Sequence, residues 1–176
     1  MRVISKKRPP FMTPHRWIFL IAAGILLSAT GFGVYFREIQ MPRWTAASDA
    51  EAKAIEAAGL ENVDNVYNHV WHKESWIVEG SDLDGNKVFV WLTGDNESHA
   101  VKAEYGVSFK QIKNTFLVEK PDAAIKRIQP GMFDGKPVWE VFYSIGQSPE
   151  RYYYEFYMFD SGTFIDMYQL PAKTEP

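Results

Sequence analysis

The 176-residue chain contains no cysteine. Disulfide cross-links, thiolate metal sites, a cysteine nucleophile and the acylated cysteine of a lipid anchor are thereby excluded. Stability has to come from packing, and aromatic residues, 15% of the chain, supply the material, because each buried ring withdraws a large apolar area from water. Nucleophile motifs such as G-x-S-x-G or S-x-x-K are missing as well, so the chain is expected not to be an enzyme and to use no cofactor. A third absence is more informative: no charged side chain occurs between Trp17 and Phe36.

Twenty helical residues at about 1.5 Å each span roughly 30 Å, one crossing of a bilayer. Arg2, Lys6, Lys7, Arg8 and Arg16 precede this run and no acid does. Short segments rich in Lys and Arg stay in the cytoplasm, so everything after the run is expected outside the cell membrane. A cleaved signal peptide would have an apolar stretch of about 7 to 15 residues and a small-x-small cleavage site. This run is longer and continues through Gly31, Phe32, Gly33, Val34, Tyr35 and Phe36 into Arg37, which favours an uncleaved anchor. Trp17, Tyr35 and Trp44 suit the headgroup region at its two ends. Gly24 and Ser28 have small-xxx-small spacing, which could admit a second membrane helix but is common by chance in apolar helices.

Beyond the anchor lie 14 of the 19 cations and all 22 acids, a net charge of −8 that makes nucleic acid a poor partner. A juxtamembrane linker is expected over 37–47, broken at Pro42. Ser48, Asp49, Ala50 and Glu51 then read as a capping box before an alanine-rich helix ending at Gly59. Four strands follow, near Val63 to Trp71, Ser75 to Ser81, Lys87 to Thr93 and Ser98 to Tyr105. Ser108 and Gln111 cap a second helix that runs to about Glu119 and stops at Pro121. Four more strands are expected near Ala124 to Met132, Val138 to Ile145, Arg151 to Phe159 and Thr163 to Leu170. The organisation is thus a cytoplasmic tail (1–16), anchor (17–36), linker (37–47), two units (48–105 and 106–171) and a short C-terminal tail (172–176). Each unit is expected to be α+β, one helix across an antiparallel sheet of about four strands, and units this small should pack on each other.

Several clusters invite a chemical reading. His69, His72 and Glu74 could supply zinc ligands, but residues three apart on a strand point to opposite faces, so strand-end histidines are the better account. Asp82, Asp84, Gly85 and Asn86 resemble a calcium loop only loosely, with glycine at the fourth rather than the sixth position, and fit a hairpin turn. No metal site is expected. The strand Arg151 to Phe159 is aromatic on both faces. Trp139, Val141, Tyr143 and Ile145 should face the Ile112, Phe116 helix, leaving Tyr153, Tyr157, Phe159 and Phe142 in need of another cover. Either the first unit buries these rings, or Tyr153 and Tyr157 with Phe142 and Phe159 form a partner-binding patch.

Pro137, Val138, Trp139, Glu140, Val141, Phe142 and Tyr143, followed by Tyr152, Tyr153, Tyr154, Glu155, Phe156, Phe159 and Gly162, resemble the C-terminal signature of the YpmB/TseB family. The anchor, the alanine-rich helix and the Trp91 strand occur in the family's order. The resemblance implies an N-terminal single transmembrane helix followed by two tandem PepSY-like units. It implies a Gram-positive, membrane-anchored regulatory module of cell wall elongation whose partner is a class B penicillin-binding protein. The alternative is a PepSY-type inhibitor or ligand-binding module acting on a surface peptidase.

Overall fold

The computed structural model describes residues 14–94, 97–146 and 149–171. Arg2, Lys6, Lys7 and Arg8 of the basic tail, and the tail at 172–176, lie outside them. Helix α1 spans Pro14–Ala58, and Gly59, at φ 62°, closes it with its N–H on the Ile55 carbonyl at 2.9 Å. A residue without a Cβ tolerates this left-handed conformation, so the expected stop is where the sequence put it. Within α1, Arg16–Arg37 has a mean hydropathy of 2.0 and is long and apolar enough to cross a membrane, as a membrane anchor or a signal sequence would be.

The start of the alanine-rich helix is corrected. Ser48 to Glu51 do not cap a new helix and Pro42 does not break the chain, because α1 is continuous through both. The N–H groups that a capping box would satisfy already have carbonyls four residues upstream. Proline removes one such bond, a local cost of about 3 kcal/mol.

The described residues from Ala46 onward form one compact unit. Its first sheet consists of β1 (Leu60–Val70), β2 (Glu74–Asp82), β3 (Lys87–Thr93) and β4 (Ser98–Lys102), paired antiparallel in chain order. A single 3-10 turn, Ala103–Tyr105, ends β4. The second sheet consists of β5 (Ala124–Phe133), β6 (Lys136–Ile145), β7 (Arg151–Met158) and β8 (Phe164–Gln169), again antiparallel and in chain order. Helix α2 (Phe109–Glu119) precedes it. The Ser108 hydroxyl accepts from the Gln111 N–H at 3.3 Å while the Gln111 side chain accepts from the Ser108 N–H at 2.9 Å, a reciprocal cap.

Two buried layers hold the unit together. Ala50 and Ala54 of α1 pack on Val78, Val88, Val90 and Leu92, one face of the first sheet. The other face presents Ile77, Phe89 and Trp91, which join Ile112 and Phe116 of α2 and Trp139, Val141, Tyr143, Tyr157 and Phe159 in the largest core. The first sheet is therefore covered on both sides, by α1 and by the second half of the unit. That shared core is what two sheets of this size need, since neither buries enough apolar surface alone. A third cluster, Phe133, Val138 and Phe156, lies on the face of the second sheet away from α2 and is covered by Trp71 from the β1–β2 turn.

Candidate partner-binding site

The four rings singled out in the sequence do not form one surface. Antiparallel partners share a face, and Tyr153 and Tyr157 stand opposite Tyr143 and Trp139, which puts them on the α2 side. Tyr157 is buried, and Tyr153 is half-buried with its ring stacked 5.3 Å from Tyr143. Phe159 is 2% exposed and meets Phe89 at 5.2 Å and Trp91 at 4.8 Å, so the first sheet covers it. Phe142 lies on the opposite face, stacked on Tyr154 at 4.7 Å. The sequence grouped Tyr153 and Tyr157 with Phe142, away from α2; alternation along β7 does not say which of its faces α2 covers, and the register with β6 puts Tyr153 and Tyr157 on the α2 side.

Polar groups near these rings are engaged within the fold. Glu155, fully buried, accepts hydrogen bonds from the hydroxyls of Tyr143 at 2.8 Å and Tyr157 at 2.6 Å, and pairs with Lys120. Burial, then the Glu155 hydrogen bond, pushes both phenols well above their ordinary pKa. His69 and His72 do not converge. His69 is buried against Glu140, whereas His72 is exposed and pairs with Asp134 at 3.4 Å. Asp82 and Asn86 close the β2–β3 turn as expected, the Asp82 carboxylate accepting from the N–H groups of Asp84 and Asn86 at 3.0 and 2.8 Å.

A different surface has the shape of a binding site. A groove of about 760 Å3 runs between α1 and the ends of β2, β3 and β4. Helical spacing aligns Ala46, Asp49, Ala50, Lys53, Glu56 and Ala57 along its α1 wall. Trp76 and Leu92, cross-strand partners, lie on its other side with Thr93 and Gly94. Glu74, Glu97 and Ser98 complete the lining. The small α1 side chains leave room over the Trp76 and Leu92 side chains, and four carboxylates to one ammonium give the lining a negative potential. Glu74 is held in place by the Asn68 side-chain amide, which donates to it at 2.7 Å. The sequence carried a usable signal here, alanines recurring every three or four residues between acids, but locating the groove also required the strand register.

Residues 49–93 match the family model described as a cell wall elongation regulator TseB-like domain. Over this stretch the chain is similar to the TseB-like family. The TseB-like stretch begins at Asp49 and ends at Thr93, both of which line the groove. Among solved structures, the YpmB protein from Bacillus subtilis has the same fold, with a TM-score of 0.59 and 20% identity over 72% of this chain and 96% of that chain. A protein from Clostridium difficile 630 described as a lipoprotein aligns over 70% of this chain and 91% of that chain, with 14% identity and a TM-score of 0.34. No curated protein matches the chain.

Proposed function

We propose that this chain is a membrane-tethered, non-catalytic module that regulates cell wall elongation from outside the membrane, by binding a class B penicillin-binding protein through the groove beside α1. The observation that carries the reading is the coincidence of the TseB-like stretch, residues 49–93, with most of the groove lining. The apolar stretch Arg16–Arg37 would supply the tether, and the cations before it support a cytoplasmic N-terminus. A groove with an apolar base and an acidic rim fits a partner segment that brings an apolar anchor flanked by Lys or Arg.

Photocrosslinking in cells tests this. A photoreactive residue at Trp76 or Glu97 is expected to capture a class B penicillin-binding protein. Reversing the rim with Glu56→Lys and Glu97→Lys should cut that capture about tenfold while leaving the melting temperature of the exported part unchanged. Capture of a surface peptidase instead would select the inhibitor reading. Capture unaffected by charge reversal would remove the groove from the mechanism.

A further inference from the structure

Each sheet has two outer strands, β1 and β4 in the first and β5 and β8 in the second, and the edges at the last strands, β4 and β8, differ in chemistry. Strand β4 exposes Ser98, His99 and Ala100, and its Lys102 pairs with Asp82 at 3.6 Å. Polar and charged edges of this kind discourage pairing with another chain. Strand β8 has no lysine or proline within it and a single acid, Asp166. Phe164, Met167 and Tyr168 are 52%, 45% and 36% exposed, and Leu170 just beyond is 37% exposed.

The hydrogen-bond pattern shows which groups β8 presents outward. The Leu170 N–H donates to the Tyr152 carbonyl on β7 at 2.9 Å, so Leu170 and, by alternation, Tyr168 point their backbone groups inward. Met167 and Gln169 then point theirs outward. Consistent with this, the Met167 N–H is met by the carboxylate of its own neighbour, Asp166, at 2.8 Å. Among the described residues no strand pairs with this outer edge.

We infer that β8 is a self-association edge, on which a second copy of this chain adds its own β8 antiparallel across a two-fold axis centred on Met167. In this register Met167 faces its own counterpart, exchanging two backbone hydrogen bonds, and Asp166 faces Tyr168 of the copy. The only charge on the strand then meets a phenol rather than another carboxylate, whereas centring one residue earlier would set Asp166 against Asp166. Pairing replaces the local Asp166 bond to the Met167 N–H with a backbone carbonyl. The strand is short and the interface small, so the pair depends on both copies being held in one membrane, where tethering raises their effective concentration. The inference is independent of which wall protein the groove binds.

The absence of cysteine makes the test direct. The full chain carrying Met167→Cys is reconstituted in phosphatidylglycerol vesicles and oxidised mildly. Directly opposed residues of a hydrogen-bonded pair have Cα atoms about 5.5 Å apart, within reach of a disulfide. Leu170→Cys is the control, because the two copies of position 170 would lie roughly 20 Å apart. The expected result is about ten times more disulfide-linked dimer for Met167→Cys than for Leu170→Cys. Adding Gln169→Pro, which removes an outward N–H and leaves the β7 ladder intact, should return Met167→Cys to the control level. Equal crosslinking at 167 and 170, or crosslinking at 167 insensitive to Gln169→Pro, overturns the inference.

Discussion

The His69 imidazole and the Glu140 carboxylate meet at 3.0 Å, both buried, across 71 positions of chain. His69 Nδ1 accepts from the Met132 N–H at 3.3 Å, so Nε2 carries the proton and donates to Glu140. Arg127 and Gln129 donate to the other Glu140 oxygen at 2.8 and 3.3 Å. One carboxylate thereby ties the end of β1 in the first sheet to β5 and β6 in the second. Breaking a buried, hydrogen-bonded arrangement of this kind leaves unsatisfied groups behind, so it fixes how the two sheets dock.

Gly131 on β5 is the tightest point of that docking. A Cβ added there would lie 2.6 Å from the His69 ring, while the Gly131 carbonyl accepts from the Trp91 indole at 2.8 Å. Gly131→Ala is expected to cost about 1–3 kcal/mol in urea unfolding of the compact unit. His69→Ala should remove the clash, so the double variant is expected to be more stable than the two single losses predict. Additive losses would show that the ring does not set the glycine requirement.

Glu140 makes stability depend on pH. Burial opposes its charge, but hydrogen bonds from His69 and Arg127 outweigh burial and hold its pKa below the ordinary 4.5. The folded carboxyl thus binds fewer protons than the unfolded one between the two pKa values, and stability rises with pH there. Its contribution is complete above pH 4.5 and is lost as pH falls through the depressed value. Urea midpoints measured from pH 7 to 3 should fall less steeply for Glu140→Gln than for the parent; identical slopes would refute the assignment.

Trp139 is 4% exposed, contacts Phe159 and Phe89 at 5.6 and 6.0 Å, and donates its indole N–H to the Val107 carbonyl at 2.8 Å. Trp139→Ala should destabilise the compact unit by about 3–5 kcal/mol. An unchanged melting temperature would mean that the shared core is not formed as described.

The proposed topology is checked by protease added to cells stripped of their wall. Digestion is expected to remove the region after Trp44 and to spare an epitope placed before Trp17, from the cation asymmetry about the anchor. Protection of the C-terminal part would reverse the orientation.

Local patterns made most of the elements legible. The Ser108 and Gln111 cap, the Gly59 stop and the turn at Asp82 to Asn86 depend on residues within a few positions of one another, and all three lie where the sequence placed them. Two features were out of reach because they depend on distant partners. The faces of Tyr153, Tyr157 and Phe142 follow from the β6–β7 register, and the His69 environment from strands some 60 to 70 positions away. Ser48 misled for a different reason: a cap motif signals a helix start only where no helix already arrives from upstream.

In each sheet every strand pairs with its neighbours in chain order. Such meanders close through short loops, so each hairpin can form as soon as its second strand is available, without waiting for distant sequence. If the proposed topology holds, the part after the apolar stretch emerges in chain order and completes the α1 layer and the first sheet while β5 to β8 are still being delivered. Ile77, Phe89 and Trp91 would be left bare in that interval. The exposed half would be a sticky intermediate whose lifetime is set by the rate at which the second half arrives, so slow translocation, rather than weak final stability, is the step at which this architecture is most open to aggregation.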